Sequence, residues 1–285
     1  MIALVCPGQG SQTPGFLAPW LELPGLRERA EALSAAAGID LVTHGTTSDA
    51  DTIRDTAVAQ PLIVGAGLLA LEALSAGSAD YLDGSVGVVA GHSVGEITAA
   101  ATTGVLSADD AMRLVSLRGR AMAEASAVSP TGMSAVLGGD PAEVLAALAA
   151  EPPTKARVIP LQVAGAFHTV HMAPAADVLG AEWSDHDVSD PGVTLLSNSD
   201  GSAVASGAEF LRRLVSQVRN PVRWDRCMET MTDLGVTGLV ELAPAGTLVG
   251  LAKRAMKGVP TVALKTPDDL DAARELLAAS TSAKA

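Results

Sequence analysis

The stretch Ser85-Val86-Gly87-Val88-Val89-Ala90, running directly into Gly91-His92-Ser93-Val94-Gly95-Glu96, decides the fold. Its first half is small, apolar and β-branched, without a charge, and reads as a strand buried on both faces. Its second half has glycine at both ends of a five-residue turn, and residues 96–104 then read as a helix. Strand, tight turn and helix in that order belong to an α/β fold with a mainly parallel sheet. Gly91-His92-Ser93-Val94-Gly95 also matches the nucleophile-elbow pattern Gly-x-Ser-x-Gly. A serine on such a turn needs small neighbours so that the backbone can fold back. Its hydroxyl then projects at the carboxyl edge of the sheet, where open α/β folds bind ligands. The next backbone N–H, that of Val94, opens the helix and is placed to stabilise an oxyanion. Five residues alone also fit a glycine-punctuated turn with a capping serine; the strand and helix flanks favour the nucleophile.

Outward from this unit the alternation continues. Residues 2–6 predict a buried strand ending in Pro7-Gly8-Gln9-Gly10, and residues 61–76 a buried helix. A third helix is predicted over 108–126, with Asp109 and Asp110 at its positive end. The rhythm then changes. A strand at 133–137, a helix at 141–150 and a strand at 157–163 predict a small inserted subdomain. After His168 the large-domain pattern returns, with helices at 173–183, 208–217, 225–234, 247–256 and 268–278. Strands fall between them at 193–197, 237–242 and 261–264, and residues 280–285 read as a frayed tail. The expected domains are 1–130 together with 166–285, and 131–165.

The 285 residues suit one large domain or two smaller ones. A chain of this length buries about three quarters of its unfolded surface and needs no covalent staples. With 48% hydrophobic and 18% charged residues it is globular rather than disordered, and with 2% aromatics its core rests on Ala, Val and Leu. Nineteen basic against 32 acidic residues leave a net charge of −13, which argues against a nucleic-acid partner. Cys6 and Cys227 cannot build a disulfide framework and suit a reducing cytosol. The first basic residue is Arg27, so no signal peptide is visible, and the most apolar window, 62–71, is too short to span a bilayer. The expectation is a soluble, cytoplasmic protein without a membrane partner.

A nucleophilic serine needs a base. Of the five histidines, His44 and His186 sit in polar, loop-like sequence and are expected to be solvated. His92 adjoins the serine, so its side chain should diverge from that of Ser93. His168, in Gly165-Ala166-Phe167-His168-Thr169, follows a predicted strand, where an α/β fold presents catalytic groups; His171 is a lesser candidate. No Cys or acidic residue stands at ligand spacing around His168 and His171, so no metal is expected. Gly8-Gln9-Gly10 is too short for a dinucleotide fingerprint, and no nucleotide cofactor is expected.

Taken together and in order, several motifs resemble malonyl-CoA:acyl-carrier-protein transacylases of type II fatty-acid and polyketide synthesis. They are Pro7-Gly8-Gln9-Gly10-Ser11-Gln12, Gln60-Pro61, Gly91-His92-Ser93-Val94-Gly95-Glu96, Arg118-Gly119, Ala166-Phe167-His168-Thr169 and Asn220-Pro221-Val222-Arg223-Trp224. The likeness runs nearly end to end. It implies an α/β-hydrolase-like large domain with a ferredoxin-like subdomain. It also implies a double displacement in which Ser93, assisted by His168, takes malonyl from coenzyme A and passes it to the carrier protein's phosphopantetheine thiol. Malonyl-CoA and acyl carrier protein are the implied partners, coenzyme A being a substrate and not a cofactor.

The resemblance further assigns the oxyanion to the N–H groups of Gln9 and Val94. It gives the orientation of the histidine to the main-chain carbonyl of Gln217, in place of an acid. Arg118 matches the arginine that grips the malonyl carboxylate, a task suited to its two-pronged fork; Arg113 and Arg120 are expected at the surface. His92 and Met122 correspond to residues near the substrate. Phe167 matches the bulky choice of malonyl-selective relatives, where one methyl branch is worth about 1–3 kcal/mol.

Two departures stand out. Between Ala150 and the last subdomain strand about 25–30 residues of the family pattern are absent, two strands and a helix at ordinary sizes. Either the subdomain is truncated or the chain as given is without a stretch. Ala243-Pro244-Ala245-Gly246 replaces a more usual Gly-Pro-Gly turn. A serine esterase or thioesterase would share Ser93 and His168 but has no need of Arg118 or the opening Gln-Gly motif. A discrete acyltransferase serving a polyketide synthase would be chemically identical. Because carrier proteins are acidic, docking calls for a basic patch. Arg212, Arg213, Arg219 and Arg223 form one candidate, and Lys253, Arg254 and Lys257 another.

Overall fold

Five strands, all parallel, make the central sheet: β1 (Ile2–Cys6), β2 (Val86–Gly91), β5 (Thr194–Leu196), β6 (Gly238–Glu241) and β7 (Thr261–Ala263), in the order β5-β2-β1-β6-β7. β3 (Ser134–Leu137) and β4 (Arg157–Pro160) form a separate antiparallel pair, with Ser134 opposite Pro160. This computed structural model describes residues 1–75, 84–128, 131–137, 157–161 and 163–282. The helix expected at 141–150 lies outside them.

The sheet is covered on both faces, and β1 shows why. Successive side chains of a strand point to opposite faces. Ile2, Leu4 and Cys6 enter the larger core, while Ala3 and Val5 enter the smaller one. The larger core is completed by α1 (Leu26–Ala37), α2 (Leu41–Thr46), α3 (Thr56–Ser75), α4 (Gly95–Thr102), α5 (Ala108–Val128) and α6 (Ala173–Trp183), joined by α7 (Gly207–Gln217). The smaller one packs β1, β2 and β5 against α8 (Trp224–Asp233) and α9 (Thr247–Ala255); α10 (Leu270–Ser282) returns to the first side. Register brings Cys6 level with Gly91 and Val5 level with Glu241, so the carboxyl ends of β1, β2 and β6 open at one edge.

Most predicted elements stand within a residue or two of their expected ends. α1 and α2 were not anticipated. α1 buries Leu26, Ala30, Leu33 and Ala37, a helical stripe among charged residues, and α2 is capped by Asp40, whose Oδ1 accepts from Thr43 N at 2.9 Å. α3 starts five residues before Pro61. Proline is favoured in a first helical turn, but Asp55 sets the start instead, its Oδ1 accepting from Ala57 N at 2.8 Å. The apolar stretch is therefore longer than the window 62–71. At 20 residues and a mean hydropathy of 1.8, α3 is long and apolar enough to cross a membrane, but 78% of that window is buried within this fold. It is the central core helix, and apolar all round for that reason.

One buried carboxylate fixes the turn after β6. Glu241 is fully buried and accepts from the N–H groups of Gly246 (3.0 Å), Leu248 (3.0 Å) and Val249 (2.9 Å) at the start of α9. The same helix start holds the loop after β1, through Ser11 Oγ and Thr247 Oγ1 at 2.9 Å. Glu241→Gln leaves an amide with one acceptor oxygen for three donors. Orphaning a buried donor costs about 1–3 kcal/mol, so urea unfolding should show a loss of that size; unchanged stability would refute the capping role.

Candidate active site

The elbow is built by steric necessity. Ser93 has φ +54°, a left-handed conformation that costs a non-glycine residue energy. Any Cβ at Gly91 would overlap the backbone of Gly95 and Glu96, and one at Gly95 would overlap the carbonyl of Cys6. Only glycine fits at either position, which is why the turn can be so tight. His92 N donates to Cys6 O at 2.9 Å and Gly95 N to His92 O at 2.9 Å, locking the turn to β1.

His168, the other non-glycine residue in the left-handed region at φ +60°, faces the serine. Its Nε2 lies 2.7 Å from Ser93 Oγ, and its Nδ1 lies 2.8 Å from the main-chain oxygen of Gln217 at the end of α7. A carbonyl only accepts, so Nδ1 carries the proton and Nε2 is left free to receive one from the hydroxyl. Burial, and then the positive charge of Arg118, hold the His168 pKa down to about 4. The ring is neutral at neutral pH.

Arg118 comes from the middle of α5 and is fully buried. Gly119 makes this possible: a Cβ there would press on Thr56 O at 3.0 Å and the Ala57 Cα at 3.2 Å, so its absence lets α5 approach the first turn of α3. Arg118 Nη1 donates to Gln60 Oε1 at 2.6 Å, and Nη2 to Ser93 Oγ at 3.3 Å and Gln217 Oε1 at 3.2 Å. Its Nε is buried without an acceptor among the described residues. Burial lowers the Arg118 pKa to about 10, so the guanidinium stays charged. A cation with one unsatisfied N–H beside a nucleophile is suited to a small carboxylate.

The resemblance assigns the oxyanion to two backbone N–H groups. Among the described residues, neither Gln9 N nor Val94 N has an acceptor, whereas Ser93 N donates to Asn198 Oδ1 at 2.7 Å. Val94 stands at the start of α4, where the helix dipole adds positive potential. A cleft of about 260 Å³, lined in part by Gln9, Gln12, Ile53, Arg54 and Val163, borders the Gln9 amide.

The remaining predicted residues sort themselves by contact. Met122 is buried, with its sulfur 3.4 Å from Gln60 Nε2, so it backs the residue that holds Arg118. Phe167 is buried beside His168. His92 turns away from Ser93 as expected and packs edge-on to Trp224, ring centroids 5.7 Å apart; burial takes its pKa to about 4. His171 is exposed. His44 and His186 depart from the expectation of full solvation. Each is half-buried, His44 Nδ1 lying 3.0 Å from Ser48 Oγ and the His186 ring 4.3 Å from that of Trp183. Arg113 and Arg120 are at the surface.

Asn198, Glu96 and Gln60 are polar residues at the site with no expected role. Asn198, Glu96 and the side chain of Gln217 form a buried cluster under the elbow. Gln60 accepts from Arg118 Nη1. A polar residue inside an otherwise apolar helix, as Gln60 is in α3, was the available signal; Asn198 follows a three-residue strand and gives none.

Residues 3–154 match the model of the acyl transferase domain family. The malonyl CoA-acyl carrier protein transacylase of Mycobacterium tuberculosis (strain H37Rv) is 50% identical over 299 residues, covering 95% of this chain and 98% of that protein. That alignment is longer than the 285 residues present here, so the relative carries residues without a counterpart in this chain. The crystal structure of MCAT from Mycobacterium tuberculosis superposes with a TM-score of 0.90 at 50% identity, over 97% of this chain and 99% of that one. PlMCAT:AntF, described as a type II PKS acyl-carrier protein in complex with its malonyl-transacylase, gives a TM-score of 0.83 at 28% identity over 96% and 99%.

The depressed basicity of the imidazole is directly measurable. Titration by NMR should place the His168 midpoint near pH 4. Arg118→Ala removes a positive neighbour, so the protonated ring is less disfavoured and the midpoint must rise. A midpoint that stays put would show that burial alone sets it.

Proposed function

This chain belongs to the acyl transferase family, among the malonyl CoA-acyl carrier protein transacylases, and from that membership we propose that Ser93 is its nucleophile, His168 the base and Arg118 the malonyl grip. The enzyme transfers the malonyl group of malonyl-CoA to the thiol of acyl carrier protein. One observation carries the assignment of roles: the Arg118 fork donates to Ser93 Oγ at 3.3 Å while His168 Nε2 lies 2.7 Å from the same oxygen. A hydrolase acting on uncharged acyl groups gains nothing from a buried cation there.

The chemistry follows from the positions. Ser93 Oγ forms a bond to the thioester carbon as its proton passes to His168 Nε2. The developing oxyanion takes the N–H groups of Gln9 and Val94, a contribution worth about 10²–10³ in rate per donor in comparable sites. The C–S bond breaks and the coenzyme A sulfur leaves with the proton from Nε2. The carrier-protein thiol then repeats the sequence on the malonyl-serine ester. Throughout, the malonyl carboxylate pairs with Arg118, taking up its unpartnered Nε–H. The side chain of Phe167 narrows the space beside C2, and His92 and Met122 support the walls. No metal or bound cofactor enters any step.

The finer architecture belongs to the same reading. Residues 1–130 and 166–285 form an α/β-hydrolase-like domain, supported by the strained serine between β2 and α4. The β3–β4 pair suits the ferredoxin-like unit expected over 131–165. In a βαββαβ arrangement the outer two strands of the sequence pair antiparallel, as β3 and β4 do. The cysteine usage and the acidic, uninterrupted metabolic character of the chain suit the cytoplasm.

Mass measurement of the intact protein after incubation with malonyl-CoA should show one malonyl adduct, absent in Ser93→Ala. An adduct of equal yield in Ser93→Ala would overturn the assignment. Docking has its own test. In the first cluster Arg212, Arg213 and Arg223 are each tied to a carboxylate and Arg219 is exposed and unpaired, whereas Lys253, Arg254 and Lys257 are all three exposed and unpaired among the described residues. Free positive charge is what an acidic carrier can use. Charge reversal at Lys253 and Arg254 should raise KM for carrier protein about two- to tenfold, as rim charges do, with KM for malonyl-CoA unchanged; equal effects on both would exclude docking there.

A further inference from the structure

Glu96 is a fully buried acid directly after Gly95 of the elbow turn, and the reaction described above does not use it. Its surroundings are specific. Oε1 accepts from Asn198 N at 2.5 Å and Oε2 from Gln217 Nε2 at 2.5 Å. Those two partners are the residues that hold the reacting pair. Asn198 Oδ1 accepts from Ser93 N at 2.7 Å, and its Nδ2 donates to Gly91 O at 2.6 Å, so one amide spans both sides of the elbow. Gln217 supplies the carbonyl that takes His168 Nδ1–H, and its side chain also donates to Ser93 O at 3.2 Å.

We propose that Glu96 is the acidic positioning residue of this site, setting Ser93 through Asn198 and His168 through Gln217. A buried carboxylate whose oxygens are filled by N–H donors holds those donors in fixed directions. The acid that a serine–histidine pair ordinarily places against the imidazole is thus present one residue further back. It acts on the residue of α7 whose main-chain carbonyl accepts from His168, and on the elbow, at once. The rival role is charge balance. Glu96 is near enough to Arg118 to favour its charged form, yet no direct ion pair joins them among the described residues. Its hydrogen bonds go to the scaffold of the pair and not to the guanidinium.

The inference rests on the Ser93 and His168 assignment, and the test separates the two. Glu96→Gln has the same shape but one acceptor oxygen, and its amide N–H₂ must face a donor of Asn198 or Gln217. Expected is a kcat lower by about 10- to 100-fold, the size seen when a supporting partner is lost, with KM for malonyl-CoA unchanged and the His168 Nδ1–H NMR resonance displaced. Should Glu96→Gln not fold, Glu96→Asp keeps a carboxyl group but cannot span both partners, and the same kcat loss is expected. A lower melting temperature with normal kcat and resonance would reduce Glu96 to a stabilising group. A raised KM with normal kcat would assign it to Arg118; either result overturns the proposal. Retention of the malonyl adduct in Ser93→Ala would instead remove the reading beneath it.

Discussion

A serine forced into the left-handed region is the constraint on which the rest of this structure depends. Such a residue costs about 1–3 kcal/mol and persists only where its surroundings over-determine it. Here they do so several times over. Gly91 and Gly95 admit close contact with neighbouring backbone, Cys6 of β1 takes the His92 amide, and Asn198 bridges Gly91 to Ser93. The strain aims Oγ at His168, and it leaves the Val94 amide as the one elbow N–H without a partner. Nucleophile and oxyanion donor are therefore products of the same bend.

The polar interior beneath the elbow is paid for in desolvation, which only complete pairing can offset. Arg118, Glu96, Gln60, Gln217 and Asn198 are all buried, and nearly all their polar atoms are matched. The exception is Arg118 Nε. On the proposed assignment, this is where the malonyl carboxylate completes the network, since its charge and geometry suit the remaining donor.

Much of this was legible in the sequence, for identifiable reasons. The elbow and β1 announce themselves because glycine requirements and two-sided burial leave local marks. Arg118 and Gln217 could be found only through the likeness to a family, since an arginine on a helix and a glutamine at a helix end look ordinary alone. The roles of Glu96 and Asn198 were not legible. Both depend on three-dimensional convergence of β2, β5 and α7, and neither changes local periodicity. The early start of α3 was missed because the preference of proline for a first turn is weaker than the Asp55 cap and the burial of the preceding residues.

A carbonyl against His168, where a hydrolase would place a carboxylate, suits exchange between two sulfurs. Burial and Arg118 keep the ring a weak base, at a pKa of about 4. A thiol has a pKa near 8.5, so the departing sulfur needs little help from the proton on Nε2 and the arriving one gives up its proton to a modest acceptor. Water is a far weaker acid and makes greater demands on the base. On the proposed assignment, arrival of the malonyl carboxylate also offsets the charge of Arg118, the largest cause after burial that depresses the ring, so the base strengthens when the correct acyl group is in place. The same arginine would then both grip the acyl carboxylate and condition the histidine.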